Sequence, residues 1–381
     1  MRKTIFIFIK YLLVILMVFS LCSCKKETVN GNDAVNGNSE SKQENTPESE
    51  KKEDDSQKTA DKSNEKDDNS EKSDDNEKQL IVKVEGEGNV IFDSSSDYYR
   101  YGPSIIEYED GSMDAWFSSP GNSGSQWDWI VYRHSDDGEE WSDEKIVLKP
   151  TPGSKDQCSV CDPAVIYFND FYYLAYTSTD YYEGKGSYNM AFVSRSRFPD
   201  GPFEKWNGSD WGGDPEPIIF YDGAKENWGI GEVSFVIFDE DLYVYYTYID
   251  VRDSYIGLYK ADLTKNWPST MRSKGPVLYQ TDHDSVDVLY DEFRNIFLAF
   301  SIDGRMMENS NLCVYVSENG KDFKEMAHAK DYIEDYAHNL GVAKCPDGHQ
   351  TSEKDILFGY AYGKNWGRWN LKMQKLRIIE E

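Results

Sequence analysis

Five residues stand at matching places in this chain, each just ahead of an apolar run: Gly102, Asp162, Glu232, Asp287 and His338. Carboxylates and imidazole are the side chains that move protons near neutral pH. A carboxylate pair whose surroundings keep one member protonated and the other ionised can act as acid and base on a single bond. That chemistry requires the five to converge, so the segments behind them decide the matter. Asp162 opens DPAVIYFNDFYYLAYTS, a strand, a turn and a second strand; Gly102 opens GPSIIEYEDGSMDAWFSS and Glu232 opens EVSFVIFDEDLYVYYTY. DVLYDEFRNIFLAFS from Asp287 and HNLGVAKCPDGHQ from His338 complete a series that recurs about every 50 to 70 residues.

Hairpin units of this period indicate an all-β fold, a five-bladed β-propeller with the opening residues around a central channel. The fifth unit ends without an outer strand. GNVIFD, from Gly88 to Asp93, reads like the outer runs GPVLYQ and EPIIFY of other units. An N-terminal strand is therefore expected to close the ring and leave no edge exposed. His134 to Trp141 nearly fits an S-x-D-x-G-x-x-W turn with His134 at the first position, and Val316 to Phe323 is a weaker copy. Both read as turn chemistry rather than catalysis.

The chain of 381 residues divides in three. Residues 1–24 have a basic start and an apolar run ending Leu21-Cys22-Ser23-Cys24, the pattern of an export signal. The cleavage site is similar to a bacterial lipobox, which makes Cys24 the expected lipidated residue and the cell membrane the expected location. Residues 25–79 are almost wholly polar and lack aromatics. They cannot bury enough apolar surface to order themselves, so they read as a tether reaching about 40 Å. Residues 80–381 are the propeller and hold nearly all of the 27 Tyr and all 10 Trp.

A net charge of −28 argues against nucleic acid and, less strongly, against anionic polysaccharide. A neutral glycan or a cation is compatible, and a monomer is expected. Cys158-Ser159-Val160-Cys161 has metal-knuckle spacing, but Cys313 and Cys345 lie in other units. A disulfide or free thiols are both open readings.

At its opening residues the chain resembles the five-bladed propeller glycosidases, glycoside hydrolase family 43 and the β-fructosidases among them. The resemblance rests on Asp162-Pro163 with Val165-Ile166 and Tyr172-Tyr173-Leu174, then Ser194-Arg195-Ser196 leading to Gly201-Pro202-Phe203. It implies Asp162 as general base, Glu232 as general acid and Asp287 as the carboxylate that tunes the acid, in an inverting mechanism. It implies His338 beside a central ion, calcium in many relatives, with no cofactor required for catalysis. The first unit departs from the pattern, with Gly102 where the family carries its base. If Gly102 is the true equivalent, Asp162 becomes the tuning residue, and Arg100 is placed to reach the channel and bind sugar.

Sugars also need flat apolar faces, and Trp127, Trp228 and Trp366 lie in polar loops suited to that work. The plain structural alternatives stay open: Asp162 and Asp287 as turn caps, His338 as a core histidine, the tryptophans as packing. The leading expectation is a surface-tethered hydrolase of arabinofuranosyl or xylosyl glycans. A non-catalytic carbohydrate-binding propeller is the alternative, followed by a calcium-stabilised adhesion protein.

Overall fold

The structure, a computed structural model, describes residues 80–380 apart from 96–97, 124–125, 183–185, 225, 280–284 and 330–332. The expectations for the export signal, the tether and Cys24 lie outside the described residues. One short 3-10 turn, Trp267–Thr270, is the single helical piece among the described residues. Strand β1 (Leu80–Phe92) comes first. β2 (Tyr101–Glu107), β3 (Met113–Ser123), β4 (Gln126–Ser135) and β5 (Lys145–Leu148) then form an antiparallel meander. A second group follows in β6 (Cys161–Phe168), β7 (Phe171–Tyr182), β8 (Gly186–Ser196) and β9 (Glu204–Lys205). The third is β10 (Gly229–Phe238), β11 (Asp241–Ile249), β12 (Ser254–Asp262) and β13 (Arg272–Tyr279). The fourth is β14 (Asp287–Asp291), β15 (Ile296–Asp303), β16 (Asn311–Ser317) and β17 (Lys324–Ala329). In the fifth, β18 (Ala337–Lys344) leads through the short β19 (His349–Gln350) to β20 (Ile356–Tyr362) and β21 (Asn370–Glu380). β1 lies antiparallel on β21, from Leu80 opposite Glu380 to Phe92 opposite Leu371. The N-terminal strand is thus longer than the six residues expected and starts eight positions earlier.

Turn chemistry sets the hairpins. Asn169-Asp170 and Asp239-Glu240 both have positive φ and each joins paired strands through a two-residue loop. That backbone matches the twist of the flanking strands. At the outer turn of the first group, Asp137 Oδ1 accepts the amides of Glu139 and Glu140 while Ser135 Oγ accepts that of Gly138. Ser317 and Asn319 repeat this, so the capping residue is Asp137 and the motif begins one place later than His134.

Aromatics pack the groups against one another. Trp267, fully buried, meets Tyr173 of the second group edge-on at 6.1 Å and Phe235 of its own at 5.7 Å. Burying a side chain of this size contributes roughly 1.5–3 kcal/mol. At the other end of the strands from the opening residues, the turn after β18 docks by its backbone. Pro346 O accepts from Tyr167, Asp347 O from Ile237 and Gly348 O from Tyr290, which belong to the second, third and fourth groups. Gly348 has φ 90°, and a Cβ there would meet Phe235 O at 2.7 Å, so only glycine fits this approach.

Candidate active site

Four of the five groups open on the same backbone device. A register shift interrupts pairing between Tyr101 and Ser104, Cys161 and Ala164, Gly231 and Ser234, and His338 and Leu340. Inside each lies one residue with positive φ: Gly102 at 61°, Asp162 at 47°, Glu232 at 49° and Asn339 at 45°. A bulge re-aims a side chain, and the left-handed backbone costs a non-glycine residue about 1 kcal/mol or more. The strain recurs where side chains meet in a narrow cleft lined by Gly102, Asp162, Glu232, Ser285, Asp287 and Asn339.

The bond pattern between groups fixes the equivalences. Ser104, two places after Gly102, accepts the Val165 amide, three places after Asp162. Ser234 likewise accepts from Val288, and Asp287 Oδ2 accepts from Val342. In this register Ser285 is the opening residue of the fourth group and Asn339 that of the fifth. Asp287 and His338 therefore correct the sequence reading, by two positions and by one. Asp287 occupies the clasp position: its Oδ1 lies 2.6 Å from Lys344 Nζ and accepts from Ser234 Oγ at 2.7 Å. Lys344 is buried, so the Asp287 carboxylate serves as its counter-ion.

Asp162 and Glu232 do converge. The Asn339 side-chain amide donates to Asp162 Oδ1 at 3.3 Å and to Glu232 Oε1 at 3.2 Å. Each backbone is held by a hydroxyl of the preceding group: Ser118 Oγ accepts the Asp162 amide and Thr177 Oγ1 that of Glu232. Arg305, in the loop after β15, reaches in from above; its Nη1 is 3.7 Å from Glu232 Oε1 and its Nη2 donates to Asn339 Oδ1 at 3.3 Å. Burial pushes the Asp162 carboxyl up to about 6; the Cys161 thiol, 3.3 Å from Oδ2, and Arg305 oppose the shift, and Asp128 adds to it. Asp128 is itself buried, raised by desolvation, and bonded by Tyr99 and Ser159.

Asn339, Arg305, Ser285 and Asp128 were missed in the sequence. The first and third become visible when the units are aligned on Val165, Val288 and Val342 instead of on the first charged residue. Arg305 and Asp128 sit in loop and strand contexts with no repeat signal.

The remaining expected residues fall as follows. Arg100 turns away from the cleft, paired with Glu144 through Nε and Nη2 and stacked on Phe92 at 4.2 Å, which corrects its sugar-binding role. His338 is fully buried against Trp369, with Nδ1 2.7 Å from Asn339 Oδ1. Calcium takes six to eight oxygen ligands, and a nitrogen donor in an aromatic wall does not fit that ion. Trp228 is half-buried against Gly231, whereas Trp127 and Trp366 are exposed on the same end of the strands as the cleft. Cys158, Cys161, Cys313 and Cys345 are not joined in disulfides.

No protein-family model and no curated protein matches the chain. Solved structures do. Zg3597, a family 117 glycoside hydrolase of the marine bacterium Zobellia galactanivorans, is 15% identical with a TM-score of 0.58, over 79% of this chain and 90% of that one. The chain has the β-propeller fold of these glycoside hydrolases. The α-L-arabinofuranosidase PaAbf62A of Podospora anserina is 10% identical, TM-score 0.52, over 74% of this chain and 91% of its own. A thermostable family-43 glycoside hydrolase is 14% identical, TM-score 0.52, over 74% and 89%.

Proposed function

We propose that this chain is a glycosidase that hydrolyses O-glycosyl bonds in neutral poly- or oligosaccharides, arabinofuranosyl and xylosyl linkages first among them. The observation that carries the reading is the Asn339 amide bridging Asp162 and Glu232 in a cleft on a propeller fold. The fold neighbours, an arabinofuranosidase among them, support the substrate class. The five strand groups are taken as five blades of one ring, with β1 as the outer strand of the fifth. The N-terminal pattern supports a lipid anchor at Cys24 and a place on the cell membrane.

The environments of the two carboxylates favour the reverse of the roles implied by sequence resemblance. Asp162, pushed up to about 6 by burial, is the group that holds a proton and serves as general acid. Glu232 faces the Arg305 cation, and an adjacent opposite charge stabilises a carboxylate in its ionised form. Glu232 is then the base that draws a proton from water. An inverting pair stands about 6.5–9.5 Å apart. The two bridged oxygens can be no farther apart than the two Asn339 contacts laid end to end, which is the short limit of that range.

A second reading, a propeller that binds glycan without cleaving it, is favoured by one observation. Gly102, Ser285 and Asn339 leave three of the five opening positions without a side chain able to exchange a proton at neutral pH. One experiment separates the readings: wild-type turnover of aryl arabinosides, aryl xylosides, arabinan and xylan from pH 4 to 8. Cleavage of at least one substrate is expected, with kcat/KM falling as pH rises through about 6, where Asp162 loses its proton. Activity that rises through that point makes Asp162 the base. Calorimetric binding without cleavage establishes the second reading instead.

A further inference from the structure

Exposed aromatic side chains stand at the cleft-side strand ends of several groups, and two of them are indoles at the junction of the first and fifth. The β20–β21 loop, residues 363–369, lies at the strand ends that carry Asn339, because Ala337 pairs with Tyr362. In it Trp366 is 53% exposed, an unusual state for an indole. It stands edge-on to Trp369 at 5.0 Å, and Trp369 is buried against His338 at 4.6 Å. His338 in turn holds Asn339. A rigid aromatic column thus runs from the exposed indole to the amide that bridges the two carboxylates. Trp127, 43% exposed at the start of β4, flanks the same junction of first and fifth groups; its carbonyl accepts from Tyr99, whose ring lies 5.3 Å from that of Trp369.

We propose that this rim is a second saccharide subsite, in which Trp366 stacks on the apolar face of a sugar unit next to the one held at Asp162 and Glu232. The inference rests on the glycosidase reading and makes it narrower: the substrate is a chain of neutral sugars rather than a terminal monosaccharide on an arbitrary partner. An exposed indole braced from behind loses little freedom on binding, which is the condition for an aromatic anchor. The alternative occupant, a second protein, would need an interface extending well beyond two tryptophans.

The test compares arabino- and xylo-oligosaccharides of one to five units with the corresponding aryl monosaccharides, on wild type, Trp366→Ala and Trp127→Ala. Binding is read by calorimetry in a Glu232→Gln background and turnover in the native one. Affinity of the wild type should rise with chain length. Trp366→Ala should lose roughly tenfold on chains, as expected for one aromatic contact, with aryl monosaccharides unchanged. A smaller loss of the same kind is expected for Trp127→Ala, and Trp366→Phe should restore much of what alanine removes. Equal effects on monosaccharides and chains, or none on either, overturn the subsite and leave the glycosidase standing. Failure of the wild type to bind or cleave any saccharide overturns the glycosidase reading and the subsite with it.

Discussion

Asp162 and Asp287 look alike in sequence, each an aspartate ahead of an apolar strand, and both line the same cleft. Asp162 sits on strained backbone, meets a neutral amide and a thiol, and keeps its proton to about pH 6. Asp287 lies in regular strand and is bonded to a buried ammonium, a hydroxyl and a backbone amide. The first is left reactive by poor partnering; the second is neutralised by good partnering. On the proposed function, two residues of register separate a chemical role from a structural one.

The widest separation between the two should come from paired substitutions. Glu232→Gln or Asp162→Asn is expected to lower kcat by about 10²- to 10⁴-fold, the usual loss with a general acid or base, while the fold survives. Asp287→Asn should do the opposite, leaving Lys344 buried without a counter-ion at a cost of up to about 3–5 kcal/mol. Urea unfolding beside steady-state kinetics reads both. An active site abolished by Asp287→Asn in a protein of unchanged stability would return Asp287 to the chemistry.

A smaller effect follows from pH. An acid whose pKa is raised by folding binds its proton more tightly in the folded chain. Its stabilising contribution is therefore full below about pH 4 and is lost as pH rises through about 6. Asp162→Asn carries no charge to desolvate. Its melting temperature should match the wild type at pH 4 and exceed it increasingly up to pH 7. Parallel melting curves across that range would show that Asp162 is not raised.

The smallest expected change is at Cys161, whose thiol favours the charged form of Asp162. Cys161→Ala should move the limb of the pH–rate profile near pH 6 upward, and Cys161→Ser should leave it close to wild type. Identical profiles for all three would remove the thiol from the account.

Much of the fold was legible because hairpin strands alternate and their turns carry Asn, Asp and Gly in positive-φ places. The site was legible in the first three groups, where Gly102, Asp162 and Glu232 are themselves the bulged residues. In the fifth group the bulged position is filled by Asn339, and in the fourth the equivalent place is held by Ser285. The eye settles instead on Asp287 and His338, which are more reactive in isolation. A bulge adds one residue and shifts the alternation of the strand, so a charge-based alignment slips where the opening residue is uncharged. Arg305 and Arg100 make the same point through partners: the one that reaches the cleft stands in an unremarked loop, and the one beside the first unit is claimed by Glu144.

The backbone turn from Pro346 to Gly348 has a consequence for how the chain comes to be assembled. It belongs to the last group made, yet it supplies acceptors to strands that begin more than a hundred residues earlier in two of its three contacts. Those acceptors have nothing to meet until the second, third and fourth groups stand in place. The turn is therefore a keystone: contacts between such distant positions form late and make folding slow. A chain released before this turn is synthesised would expose the unmated amides of Tyr167, Ile237 and Tyr290 together. Quality control that recognises open strand ends would find its target there, and a finished molecule would present none of it.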